Sequence, residues 1–466
     1  MHENRELSWW AIVRDAVRGR HMDYTTAPIN RAVVMLAIPM VMEMIMESIF
    51  AVVDVFWVAH LGANAVATVG LTESMLTIVY TVAMGTGIGA MALVARRVGE
   101  KNMDDAARTA VQAIALGVIL AAVIGVIGGT QAPRLLRLMG ASNEVVDTGW
   151  KFTTVMLGGN ATVFLLFLIN ACFRGAGDAA IAMRVLCLGN ILNIVLGPCF
   201  IFGLGPFPQL GVTGAAVATN IGRGTAVLFQ VLTLARGKSR IQITRAHLGL
   251  DFRVMASVLR LSGATTLQIF INTSSYIGIV RLISTFGSAA LAGYTIGIRL
   301  IIFALLPSWG LANAAATLVG QNLGAKHPDR AEQSVWQACR YNMLFLGSIS
   351  VIFILGANPI VAFFSTEPAV HDYAVACLRI VSAGFIFFAV GMVITQSFNG
   401  AGDTWTPTVI NLFIFWVFEI PLAYVLAHYT TLGPHGVFAA LGIAFSTLAV
   451  VSGIIFRRGT WKQTKV

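Results

Sequence analysis

The sequence predicts an all-α membrane protein with twelve transmembrane helices in two pseudo-symmetric six-helix lobes. Three observations carry that prediction. Of 466 residues, 57% are hydrophobic and only 11% charged, with a mean hydropathy of +0.79. A soluble protein carries about 25% charged residues, so this chain cannot dress a water-facing surface of its size. Apolar runs of membrane-spanning length recur throughout. Finally, two stretches are written twice at one spacing: Leu93–Lys101 returns as Leu318–Lys326, and Phe173–Asp178 as Phe398–Asp403, with 318 − 93 = 225 and 398 − 173 = 225. Leu61-Gly62 against Phe286-Gly287, and Gly211-Val212 against Gly436-Val437, are read at the same offset. Such a unit is far longer than a solenoid repeat. In a membrane protein, duplicated halves point to a transporter whose site lies between or inside the repeats.

In chain order the spans fall at about 31–60, 64–94, 106–131, 150–172, 184–204 and 211–235, then 255–285, 289–319, 336–356, 372–398, 405–427 and 435–456. This divides the chain into an N-terminal segment (1–29), an N-lobe (30–235), a basic linker (236–254), a C-lobe (255–456) and a tail (457–466). Lys and Arg crowd the N-terminal segment (Arg5, Arg14, Arg18, Arg20, Arg31), the loop after span 2, the linker and the tail through Lys465. Both termini are therefore expected in the cytoplasm, with the chain multi-pass in the cytoplasmic membrane. The net charge of +10 is accounted for by this bias and by anionic lipid, so nucleic acid is not expected as a partner. Leu7, Trp10, Val13 and Val17 recur at helical spacing opposite Arg14 and Arg18, which fits an interfacial helix or a disordered basic leader. No secretory signal is visible. The five cysteines lack metal spacing and read as buried thiols. Gly85-x-Gly87-x-Gly89 reads as a close-packing stripe within span 2.

Ionisable residues inside the bilayer carry the functional signal, because each costs about 2.5–3.5 kcal/mol or more unless hydrated or paired. Span 1 holds Glu43, Glu47 and Asp54. At roughly 100° per residue, Glu47 lies about 40° and Asp54 about 20° from Glu43, so the three share one face. That face is expected to line a polar cavity where it binds a proton, a cation or a cationic substrate; the alternative is hydrogen bonding within the bundle. Pro39 upstream removes a backbone donor and permits a bend. Further polar residues are Glu73, Asn170, Asn190, Asn193, Arg299 and Glu419. Because 299 − 225 = 74, Arg299 corresponds to the neighbour of Glu73. An ion pair between the two across the lobe interface is one expectation; separate satisfaction within each lobe is the other.

Val53-Asp54-Val55-Phe56-Trp57-Val58-Ala59-His60-Leu61-Gly62 resembles the helix 1 signature of the MATE (multidrug and toxic compound extrusion) family. Leu93–Ala106, Phe173–Asp178 and Phe398–Asp403 resemble that family's loops after helices 2, 4 and 10, so the similarity spans about residues 30 to 456. The resemblance implies two six-helix lobes arranged as a V. It also implies export of organic cations and other amphipathic compounds in exchange for H⁺ or Na⁺. No cofactor or metal beyond the coupling ion is expected, the partners being a small molecule and the bilayer, with the chain a monomer. Asp54 falls on the family's coupling aspartate and Pro39 on its bending proline. Glu47 falls on a cavity-facing position, Asn170 and Asn193 on N-lobe polar positions, and Thr219 on a weaker match. Gly197 stands where many bacterial members place a second aspartate, a charge that Glu43 and Glu47 could supply. Gln268 and Asn272 occupy the corresponding part of the C-lobe, which lacks acids there. Coupling is therefore expected in the N-lobe, with Met46, Phe50, Phe270, Tyr276 and Tyr294, along with Gln268, Asn272 and Glu419, as candidate substrate contacts. The alternatives are a lipid-linked precursor flippase of the same superfamily, which calls for a basic cavity, and a membrane-embedded enzyme, for which no catalytic motif is found in the spans.

Overall fold

The computed structural model describes residues 9–464. Arg5, Leu7 and Lys465 lie outside them. Among the described residues the chain is helical without a strand. An amphipathic helix α1 (Trp9–Arg18) precedes α2 (Ile29–Ala59), α3 (Ala63–Gly99), α4 (Met103–Leu138), α5 (Asn143–Gly158), α6 (Ala161–Ala176), α7 (Ala179–Phe202) and α8 (Val212–Ala235). The second half follows as α9 (Phe252–Ser284), α10 (Ser288–Gly324), α11 (Pro328–Ala362), α12 (Pro368–Ser382), α13 (Phe385–Ala401), α14 (Trp405–Asn411), α15 (Ile420–His428) and α16 (Pro434–Arg457).

Among the described residues ten helices are long and apolar enough to cross a membrane, or eleven if the bent pair α12–α13 counts as one span. The helix that completes twelve is α8, which is 24 residues long but carries Thr219, Asn220, Arg223 and Gln230. Several spans run well past their apolar centres, because helical winding continues into the polar loops: α3 and α10 have 37 residues each.

Two predicted single helices are in fact broken. The fourth span divides into α5 and α6 at Gly159-Asn160, where Asn160 Nδ2 donates to the carbonyls of Leu157 (2.6 Å) and Ala121 (3.1 Å). The tenth span bends by 57° between α12 and α13. Between α14 and α15 the chain adopts a wide π winding over Leu412–Glu419. It ends just before Pro421, which has no N–H to return to a carbonyl one turn back.

The duplication is visible in the backbone itself. Adding 225 to the bounds of α3 gives those of α10. Left-handed residues recur at the same spacing: Gly62 (φ 93) and Gly287 (φ 100), Lys101 (60) and Lys326 (62), Gly177 (87) and Gly402 (86). One marker needs correction. The turn that starts α8 at Gly211 (φ 59, ψ −137) is matched by Gly433 (φ 54, ψ −132), not Gly436, which lies inside α16. The loop before the last helix runs over 203–211 in the first copy and 429–433 in the second, so it is four residues shorter in the second copy.

The described residues form two compact units, one of residues 16–21 and 42–263, the other of 9–15, 22–41 and 264–464. In the first unit, backbones meet through glycine. A Cβ on Gly222 of α8 would lie 2.6 Å from the Gly189 carbonyl of α7, and one on Gly175 of α6 would lie 2.7 Å from the Met91 carbonyl of α3. Gly87 and Gly89 of the small-residue stripe likewise press against Ala171 and Ser262. The linker is pinned to the same unit. Gln112 donates to the Gly249 carbonyl (2.7 Å) and accepts from the Asp251 amide (3.1 Å), while Asp178 accepts from the Ser239 hydroxyl (2.8 Å) and the Arg240 amide (2.7 Å). In the second unit the core is a continuous apolar cluster that includes Ile283, Tyr294, Phe385 and Phe438. All five cysteines are free.

Candidate functional site

Polar side chains of the first unit converge on α2 in two layers. In the first, Glu43 is fully buried, and its Oε1 accepts from Arg174 Nη1 at 2.7 Å and Asn170 Nδ2 at 3.0 Å. Asn170 in turn accepts from Gln230 Nε2 of α8 at 2.7 Å. The expectation that Glu43 lines an open polar cavity is corrected accordingly: it is closed into an ion pair between α2 and α6. A carboxylate in an apolar bundle is tolerable only when paired and hydrogen-bonded.

The second layer, one helical turn along, is partly open. Glu47 Oε2 accepts from Asn190 Nδ2 of α7 at 3.2 Å, and Glu47 Oε1 lies 3.4 Å from Arg223 Nη2 of α8. The Glu47 side chain keeps 21% of its surface accessible, while that of Arg223 keeps 3%. Arg223 also donates to the Tyr80 hydroxyl of α3 at 3.0 Å, and its guanidinium lies over the rings of Phe50 (5.2 Å) and Tyr80 (5.8 Å). Phe50 therefore serves as a face for a cation of the chain itself, and Met46 beside it is half-buried. Asn193 and Thr219 are brought together, Asn193 Nδ2 donating to the Thr219 hydroxyl at 2.6 Å.

Asp54, two turns further, is half-buried and makes no hydrogen bond or ion pair among the described residues. It interacts electrostatically with Arg223, as does Glu73 of α3, which also senses Asp54 and Glu47. A Cβ on Gly197 of α7 would meet nothing nearer than the Trp57 ring at 3.9 Å. Among the described residues no three His, Cys, Asp or Glu side chains are grouped as a metal site would require.

The remaining predicted residues lie in the second unit. Gln268 is buried, whereas Asn272 and Arg299 are exposed. Tyr294 is completely buried, stacked between Tyr276 and Phe438 at 6.3 Å from each, so it packs the core and does not open onto a cavity in this arrangement. Glu419, at the end of the π winding, is 3% exposed, and its Oε2 has no hydrogen-bond partner. Pro39 lies within an unbroken α2, beside a tight contact in which the Met40 carbonyl would stand 2.6 Å from a Cβ on Gly310.

Sequence reasoning missed Arg174, Arg223, Tyr80 and Gln230. A signal for the first was present. Since 43 + 225 = 268 and 174 + 225 = 399, the second copy carries Gln268 and Asn399 where the first carries Glu43 and Arg174. Acid and base are thus replaced together by two amides. For Arg223 the signal was simply a cation in the middle of a span.

Duplicated six-helix bundles with a buried polar network inside one of them define a polytopic membrane transporter rather than an enzyme. The MatE family matches residues 39–199 and 264–425, and the chain belongs to it. The chain is 26% identical to the probable multidrug resistance protein YoeA of Bacillus subtilis, over 94% of this chain and 95% of that one. It is 25% identical to the FAD transporter of Shewanella oneidensis, over 85% and 88%. A MOP superfamily transporter from Pyrococcus furiosus, described as having a binding pocket of reversed polarity, superposes with a TM-score of 0.88 at 26% identity, covering 95% of this chain and 98% of that one.

Proposed function

We propose that this chain is a secondary active efflux antiporter that exports organic cations or amphipathic compounds in exchange for inward H⁺ or Na⁺. It would act as a monomer in the cytoplasmic membrane with both termini in the cytoplasm. The observation that carries the reading is the open part of α2: Glu47 keeps an accessible edge beside a buried polar network, and Asp54, two turns further, makes no ion pair among the described residues. Uptake of the coupling ion at Asp54 removes a charge from α2 and alters the field that Arg223 and Glu47 share. The helix then repacks in the region of Pro39, and substrate is released before access changes sides. Relatives named for multidrug resistance support the same reading.

A second reading, transport of an anionic substrate, is suggested by the relative named as an FAD transporter. Inverted vesicles test both. Dye extrusion would be followed under a pH gradient and, separately, under a Na⁺ gradient, for wild type and Asp54→Asn. Loss of gradient-driven extrusion in the variant is expected, and its retention would remove Asp54 from coupling. Uptake of an anionic flavin nucleotide without any extrusion of cationic dye would favour the second reading.

A further inference from the structure

The Glu47 carboxylate of the second layer already faces a cation, and that cation is part of the chain. Arg223 is 2% exposed and is enclosed on several sides: by Glu47 Oε1 at 3.4 Å, by the Tyr80 hydroxyl at 3.0 Å, and by the ring faces of Phe50 and Tyr80. Carboxylate, phenol and aromatic faces around one point make a receptor for a positive charge. A guanidinium is charged at every accessible pH, and it cannot leave.

We propose that Arg223 is a built-in cation occupying the coupling locus of the first unit, so that no Na⁺ is bound there and the coupling ion is the proton. The proposal rests on the exporter reading above. A sodium ion beside the guanidinium would add a like charge and would find Glu47 Oε1 and the Tyr80 hydroxyl already engaged by it. A proton needs no shell of ligands, since it attaches to one carboxylate oxygen. The groups that face one another here are Glu47 and Asp54 from α2, Glu73 and Tyr80 from α3, and Arg223 from α8; α7 contributes the neutral amides of Asn190 and Asn193. Glu43 and Arg174, with the Cys187 thiol near them, form the separate pair of the first layer.

The test needs no substrate. Thermal unfolding of the purified full-length chain would be followed by tryptophan fluorescence, with NaCl replaced stepwise by choline chloride at constant ionic strength. Wild type is expected to show the same midpoint in both salts. Arg223→Gln, which opens the locus, should acquire a saturable sodium-specific rise of roughly 3 °C or more. Arg223→Lys, which keeps the charge, should remain insensitive to sodium. A sodium-specific rise in wild type, or none in a folded Arg223→Gln, would overturn the proposal. Should neither variant fold, wild type in proteoliposomes decides: transport driven by an imposed Na⁺ gradient at equal pH refutes it, and transport driven by a pH gradient in sodium-free buffer upholds it. If no transport occurs with any gradient, the exporter reading fails, while the salt dependence of the midpoint still reports on Arg223.

Discussion

Glu43→Gln strands Arg174 without its carboxylate in a pocket where the Glu43 side chain is 1% and the Arg174 side chain 11% exposed. Removing one partner of a buried ion pair costs about 3–5 kcal/mol, because the survivor keeps its desolvation penalty without its counter-charge. The reciprocal Arg174→Asn should cost less, since an abandoned carboxyl can neutralise itself by taking up a proton and a guanidinium cannot. The second repeat carries neutral amides at both positions, Gln268 and Asn399, so neither a buried carboxylate nor a buried guanidinium is there to be stranded, although Gln268 Oε1 and Asn399 Oδ1 find no hydrogen-bond partner among the described residues. The double variant Glu43→Gln/Arg174→Asn copies that solution and should recover most of the loss, with a coupling energy of about 2–3 kcal/mol between the sites. Thermal midpoints of the four proteins in one detergent, completed as a double-mutant cycle, provide the measurement. Additive losses, with the double variant as unstable as the two singles summed, would refute the view that the pair acts as one electrostatic unit.

Other outcomes follow from neighbouring observations. Glu419→Gln should raise the thermal midpoint, because burying an ionised carboxyl without a partner costs more than burying a neutral amide of the same shape; a lowered midpoint would show that the carboxyl is satisfied. Gly222→Ala should destabilise the α7–α8 contact by about 1–3 kcal/mol, since the new Cβ meets backbone at 2.6 Å, and a neutral midpoint would contradict that packing. In the tail, hydrogen bonding to Glu332 (2.6 Å), together with Asp329 (3.2 Å), holds the Lys462 ammonium above the ordinary lysine value. Its folded value exceeds its unfolded one, so its contribution is complete below the unfolded value and is lost as pH rises through the folded value. Amide exchange of residues 460–464 should therefore accelerate in the alkaline range in wild type and already be fast near neutral pH in Lys462→Ala.

Most of the architecture could be read in the amino acids because it is written twice. Loop motifs at one spacing and apolar runs between them leave little freedom for twelve helices. Asn170 and Asn193 were legible because a polar side chain inside a span must find company, whereas Thr219 entered only through the resemblance. Their partners were harder to see. Arg174 sits in a repeated loop motif at a helix end, where a cation is ordinary, and Arg223 lies between two glycines in a helix whose neighbours are small. Three acids on one face invited the idea of an external cation, although two arginines from other helices were within reach. Pairing across helices depends on tertiary geometry that periodicity alone does not encode. The breaks in the fourth and tenth spans and the shortened loop before α16 escaped for the same reason.

A wide turn accommodates one residue more than an ordinary one. The stretch from Leu412 to Glu419 therefore carries slack that α7, its counterpart in the first copy, does not have. A chain shortened by one residue there could relax to regular winding with Trp405 and Tyr424 still facing as before. The same deletion in the middle of α7 would swing everything downstream by about 100° and carry Asn193 away from Thr219. The two copies thus differ in tolerance: one can change its count by a residue and keep its neighbours, while the other is locked to its phase.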